Sequence, residues 1–93
     1  MSHTTRLLPM IDDALRALES EAAKAESGGN ALDSYKTLTF MRDRLLDMKR
    51  HLSDETVEDE RYRGSMTHII TDTWPRNNDL GRAIAEIEYV YYR

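Results

Sequence analysis

Apolar residues return every three or four positions along most of the chain, which is the periodicity of an amphipathic helix. Pro9 fits near the start of a first helix, where its missing N–H is not needed, and Gly28-Gly29 is a stop signal. The pattern therefore predicts a helix over about residues 5–27. Its core stripe comprises Leu8, Ile11, Leu15, Leu18, Ala22 and Ala25.

A second stripe with the same spacing follows the two glycines. Asn30 is a suitable N-cap residue, so we predict a second helix over about residues 30–52. The two helices have similar lengths and a short connection, which favours an antiparallel αα-hairpin. The stripe of the second helix comprises Leu38, Met41, Leu45, Met48 and Leu52.

A third helix is predicted over about residues 54–73, with Ser53 as its N-cap. Its N-terminal half is weak, because Val57 is the only aliphatic residue there and Gly64 disfavours a helix interior. Whether this half is helical stays open at the level of sequence.

Pro75 ends the third helix, and Asn77 or Asn78 can cap a fourth over about residues 78–93. Its apolar positions are Leu80, Ile84, Ile87 and Tyr91. The whole pattern predicts an all-α protein: a single domain over residues 1–93, folded as a small antiparallel bundle of three to four helices built on the N-terminal hairpin.

Composition narrows the functional classes. A chain of 93 residues is too short for a two-domain enzyme. It contains no cysteine, which excludes disulfides, thiolate nucleophiles and cysteine-ligated metals. No apolar run is long enough for a signal peptide or a membrane span, so we expect a cytoplasmic protein without membrane contact.

The charge is acidic overall and unevenly distributed. The net charge is −4, from 13 basic and 17 acidic residues. Only residues 31–52 are basic, with five basic against three acidic residues, whereas residues 53–72 have two against six. Binding DNA or RNA without sequence preference needs several cations on one face, so direct nucleic-acid binding is not expected. The alternative, a nucleic-acid-binding module, would use Arg42, Arg44, Lys49 and Arg50 of the second helix.

Residues with catalytic or metal-binding chemistry do not form a recognisable set. His68 and Asp72 share a helical face and form half of a metal site, but no third ligand is indicated. The spacing of Arg44 and His51 resembles the Arg-x(4–6)-His motif of HEPN-type RNA-cleaving domains over eight residues. That resemblance would imply a nuclease, whereas a basic helix end also stabilises the helix dipole. We predict a protein that is not an enzyme and has no cofactor.

Several large or charged residues lie away from the predicted core stripes. On the second helix, Phe40 lies on one flank, and Tyr35 and Leu46 lie together on the other. On the fourth helix, Tyr89 lies opposite the stripe and Tyr92 to one side. The candidate partner-binding residues are Tyr35, Phe40, Asp43, Leu46, Asp47, Asp54, Glu55, Glu58, Asp59, Arg82, Tyr89 and Tyr92.

These features predict a small acidic helical protein that binds a larger protein and inhibits or escorts it by steric occlusion, as immunity proteins, phage-encoded inhibitors and secretion chaperones do. Tyrosine and arginine are frequent interface anchors. The acidic segment from Asp54 to Glu60 would steer the chain toward a basic surface, including one that binds nucleic acid. Heptad-like spacing also serves a homodimer, so both oligomeric states stay open.

Overall fold

The computed structural model describes residues 3–54 and 64–92. These residues form four helices and no strand: α1 (His3–Glu26), α2 (Tyr35–Asp54), α3 (Ser65–Thr73) and α4 (Asp79–Tyr91). Helix α1 packs against both α2 and α4, and α3 packs against α4. The predicted all-α helical bundle is confirmed.

Buried apolar side chains from all four helices form one core. In α2, the predicted stripe residues Leu38, Met41, Leu45 and Met48 are fully buried. In α1 the stripe begins one residue earlier than predicted, because Leu7 is fully buried and Leu8 is only half-buried. Leu7 precedes Ile11 by four residues, about one helical turn, so Ile11 and the buried residues after it keep their predicted places on the stripe. The buried apolar residues of α1 are Leu7, Ile11, Ala14, Leu15, Leu18 and Ala22.

The start of α2 differs from the prediction. Asn30 is exposed in the loop, and the Ser34 hydroxyl oxygen accepts from the Thr37 amide at 3.2 Å, as an N-cap does. The intervening backbone is held by α1 instead, since the Glu21 carboxylate accepts from the Leu32 amide at 3.0 Å. This contact across eleven residues holds Leu32 in the loop, and α2 begins three residues after it.

The prediction that Ser53 caps a third helix is also wrong, because Ser53 and Asp54 are the last residues of α2. Helix α3 begins only at Ser65, after Gly64, whose φ of 75° is in the left-handed region. The predicted weak half of helix 3 falls largely on residues 55–63, which lie outside the described residues.

The N-terminus of α3 is capped from another helix. Gly64 has no side chain to cap it, and the carboxylate of Glu88 on α4 accepts from the amides of Met66 at 3.1 Å and Thr67 at 2.8 Å. The Thr67 hydroxyl donates to the same carboxylate at 2.6 Å. Glu88 is 2% exposed, so three hydrogen bonds compensate a buried charge.

The connection between α3 and α4 is fixed at both ends. The Asn78 side-chain oxygen accepts from the Gly81 amide at 2.8 Å and caps α4, as the sequence predicted. Trp74 is buried, and its indole N–H donates to Asp33 in the α1–α2 loop at 3.0 Å. This hydrogen bond links the two connecting segments of the bundle. None of the helices, over the residues described, is both long and apolar enough to cross a bilayer.

Candidate partner-binding surface

One flank of α2 presents large apolar side chains to solvent. Tyr35 is 45% exposed and Leu46 is 46% exposed. Eleven residues separate them, which places them about 16 Å apart along the axis and within about 20° around the helix. Arg42 lies between them on the same flank. We refer to Tyr35, Arg42 and Leu46 as the α2 face.

The charge of Arg42 on the α2 face is paired with a neighbouring carboxylate. The Arg42 guanidinium lies 3.3 Å from the carboxylate of its neighbour Asp43, and its side chain is 35% exposed. An arginine held in this way keeps its planar face free to stack on an apolar or aromatic partner. Tyrosine and arginine, two of the three residues of the face, are among the residue types that most often anchor protein interfaces, and Leu46 adds exposed apolar area beside them.

The opposite flank of α2, which carries Phe40, is partly covered by the end of α4, which carries Tyr92. Phe40 is half-buried and packs against the core, as does Tyr92. Arg44, which is 5% exposed, donates to the Tyr92 hydroxyl at 3.3 Å and pairs with Asp47 at 3.4 Å. Phe40 and Tyr92 contribute to the fold here, because the end of α4 reaches this flank.

Tyr91, next to Tyr92 at the end of α4, is also partly buried. Its ring meets the ring of Tyr92 edge to face, with centroids 4.9 Å apart. Burial raises the pKa of the Tyr91 hydroxyl above its ordinary value. The hydroxyl of Tyr91 therefore stays neutral at physiological pH.

Helix α4 presents a second exposed aromatic residue. Tyr89 is 69% exposed, on the side of α4 opposite its core stripe, where the sequence placed it. Arg82 is also exposed on α4. Among the described residues, the exposed large apolar side chains are Tyr35, Leu46 and Tyr89.

The acidic candidates are mostly engaged within the chain. Asp43 pairs with Arg42, and Asp47 pairs with both Arg44 and Arg50. Asp54 is exposed at the end of α2. Glu55, Glu58 and Asp59 lie outside the described residues. Neutralised pairs steer a partner weakly, so apolar contact is the stronger basis for recognition on α2.

Every cation of the proposed nucleic-acid face has a carboxylate partner. Lys49 lies 2.7 Å from Asp12 of α1, and Arg50 lies 3.3 Å from Asp47. Arg42 and Arg44 are paired as described above. Paired cations that point in different directions do not form the continuous positive surface that phosphate backbones require.

The metal candidate remains a simple pair. The imidazole of His68 lies 3.2 Å from the carboxylate of Asp72, and both side chains are largely exposed. Across residues 3–54 and 64–92, no three His, Asp or Glu side chains converge to hold a metal ion. The pair is best described as an i,i+4 contact on the outside of α3.

Sequence reasoning did not single out Glu88 or Arg76, and it gave Trp74 a place at the end of the core but no hydrogen-bond partner. Glu88 lies on the flank of α4, and nothing in its neighbourhood in the sequence indicates that it caps α3. Arg76 and Trp74 lie in the turn before α4, where only the folded chain shows what they line.

The chain matches no protein-family model, and no curated protein or solved structure shows significant similarity to it.

Proposed function

We propose that this chain is a protein-binding module that docks on a larger protein through the α2 face and inhibits or escorts it by steric occlusion. The observation that supports it is the solvent exposure of Tyr35 and Leu46 on one flank of α2. In the same helix, four other large apolar residues are fully buried, so the exposed pair is not needed to fill the core.

The spacing of the α2 face suits a groove or a helix on the partner. Two apolar anchors about three helical turns apart, with an arginine between them, match the way an amphipathic helix enters a hydrophobic groove. A partner that covers the leucine and the tyrosine removes their apolar surface from water, which stabilises the complex. Tyr89 provides a second anchor on α4 for a partner that extends around the bundle.

The proposal includes the antiparallel hairpin of α1 and α2. The Lys49–Asp12 ion pair and the hydrogen bond from Leu32 to Glu21 support it, because both join α1 to α2 or to the loop between them. In this arrangement α1 covers the core stripe of α2 and leaves the α2 face outward. A partner bound there would cover about the length of the helix and exclude other proteins from the surface it occupies.

Direct nucleic-acid binding is the weaker alternative. The four cations that would carry it are paired with carboxylates, and Arg44 is buried. A partner that itself binds nucleic acid fits the acidic net charge better. By occupying the nucleic-acid-binding site of such a partner, the chain would reduce the partner's binding to DNA or RNA without binding nucleic acid itself.

The test is an affinity capture from cells that contain the partner, with and without nuclease. The wild-type chain is compared with the double variant Tyr35→Ser/Leu46→Ser. We expect one protein to be recovered at near-stoichiometric yield with the wild type, independently of nuclease, and to be lost with the double variant. The matched control is Arg16→Ser/Glu19→Ser, two exposed residues of α1 whose joint replacement leaves the net charge unchanged.

Three results would contradict the proposal. Recovery that depends on intact nucleic acid would favour the nucleic-acid module. Equal recovery with the wild type and the double variant would place the binding surface elsewhere. A homodimer that dissociates in the double variant, with no other protein recovered, would assign the α2 face to self-association.

A further inference from the structure

A cleft between α3 and α4 lies apart from the α2 face. Its volume is about 250 Å³, and the turn that joins the two helices closes one end. Ile70, Trp74 and Ala85 contribute apolar walls. The volume is below the roughly 300–1,000 Å³ of pockets for drug-sized ligands, so any occupant is a small molecule.

The apolar walls of the cleft are held in place. The indole N–H of Trp74 donates to Asp33, and the Trp74 ring contacts α4 at Gly81. A Cβ atom at Gly81 would lie 3.2 Å from the ring and 3.0 Å from the Ile70 side chain, so a larger residue here would have to displace one of these two walls slightly. A wall that is ordered before binding loses little conformational freedom when a ligand arrives.

Two arginines line the same cleft, and they differ from the other arginines of the described chain. Of the seven described arginines, five pair with a carboxylate, namely Arg6, Arg16, Arg42, Arg44 and Arg50. Arg76 and Arg82 make no ion pair with any residue that the structure describes, and both line the cleft. In a chain with a net charge of −4, carboxylates are abundant, so two unpaired arginines at one cleft form a local anion-binding surface.

We infer that the cleft between α3 and α4 binds a small apolar carboxylate, whose body packs on Trp74, Ile70 and Ala85 and whose carboxylate is held by Arg76 and Arg82. A guanidinium donates two parallel hydrogen bonds to a carboxylate, which gives both attraction and orientation. The Gly81 amide at the start of α4 already donates to Asn78, so the two guanidinium groups and not this amide provide the donors for the carboxylate.

The chain supplies its own reporter for the test, because Trp74 is the only tryptophan. Its single indole N–H resonance can be followed by NMR while phenylacetate is added to the full chain. Phenylacetamide has the same shape without the charge, and acetate has the charge without the ring. We expect a saturable shift with phenylacetate, and binding at least about tenfold weaker for each of the other two probes.

Two variants separate charge from shape. Arg76→Gln/Arg82→Gln is expected to weaken phenylacetate by about tenfold and to leave phenylacetamide unchanged, since only the charged contact is removed. Ala85→Leu fills the cleft and is expected to weaken both probes that contain the ring. Arg16→Gln, at an exposed arginine of α1, is the matched control and should bind phenylacetate as the wild type does.

The inference is overturned if phenylacetate and phenylacetamide bind the wild-type chain equally well, or if neither gives a saturable shift of the Trp74 resonance. This comparison uses only the wild-type protein, so it holds even if a variant fails to fold. Equal weakening of phenylacetate by Arg16→Gln would also overturn it, because the effect would then come from net charge and not from the cleft.

Discussion

Helices α1 and α2 are joined mainly by aliphatic side chains, whereas α3 and α4 are joined in large part by polar and close backbone contacts. In the first pair, fully buried leucines and methionines repeat at helical spacing. In the second pair, Glu88 of α4 accepts from two amides at the start of α3, and Gly81 of α4 lies against the side chains of Ile70 and Trp74. Apolar packing is distributed over many residues, while a cap depends on one.

The difference also separates where the molecule offers binding surfaces. The first pair exposes an apolar flank that its own core does not use. The second pair leaves a cleft lined by Arg76 and Arg82, next to the close approach of the two helices at Gly81. We therefore expect substitutions in the two halves to differ in how much they lower the free energy of unfolding and in which helices they affect.

The largest effect is expected in the α2 core. Leu45→Ala removes a fully buried side chain and should lower the free energy of unfolding by about 3 kcal/mol. Chemical denaturation measures it. Leu46→Ala is the adjacent control, and because Leu46 is 46% exposed, its loss should stay within about 0.5 kcal/mol. Equal losses for the two leucines would show that α2 packs in another orientation.

The next effect is expected at the cap of α3. Glu88→Gln keeps the shape of the side chain but removes the charge from a buried acceptor of three hydrogen bonds, which should cost about 2 kcal/mol. Hydrogen exchange of the Met66 and Thr67 amides should accelerate more than exchange in α1. The exposed Glu86→Gln is the control. A uniform acceleration across all helices would mean that Glu88 does not act locally on α3.

A smaller effect is expected where the two halves meet. Asp33→Ala leaves the Trp74 indole N–H without its acceptor and should destabilise the chain by about 1 kcal/mol. The fluorescence spectrum of Trp74 should shift as its ring gains contact with water. Asp72→Ala, on the outside of α3, should leave that spectrum unchanged. A silent Asp33→Ala would show that the α1–α2 loop does not hold the cleft wall.

The effect expected at Glu21 is no larger than that at Asp33, and it depends on pH. The hydrogen bond from Lys24, with that from the Leu32 amide, lowers the pKa of Glu21 below its ordinary value near 4.5, against the opposing effect of burial. A lowered pKa stabilises the fold above the unfolded pKa, and this contribution disappears as pH falls through the folded pKa. Glu21→Gln should therefore cost about 1 kcal/mol at neutral pH and little in acid. A cost that grows on acidification would contradict the sign.

The sequence predicted the parts of the fold that depend on periodicity. The core stripe of α2 and the Asn78 cap of α4 follow from spacing and local capping rules. The start of α2 was misplaced: Ser34 and not Asn30 caps the helix, and Glu21 holds Leu32 in the loop through a contact across eleven residues. Glu88 and the arginine cleft could not be predicted, because they depend on how α3 and α4 meet.

The candidate site divides in the same way. Helical spacing placed Tyr35 and Leu46 on one flank and Tyr89 away from the core, and all three are exposed. Phe40 and Tyr92 are half-buried and pack against the core, because the end of α4 reaches the second flank of α2, which a helical wheel of one helix does not show. A residue that lies off the core stripe of its own helix is therefore shown to be exposed only once the packing of the other helices is known.

The most direct test of the α2 face is the affinity of Leu46→Ala for the captured partner, measured by titration calorimetry beside the wild type. Leu46 is exposed and adjacent to a fully buried leucine, so its effect on binding can be separated from its effect on folding. We predict that the affinity falls by about tenfold or more while the free energy of unfolding stays unchanged. An unchanged affinity would contradict the assignment of the α2 face as the partner-binding surface.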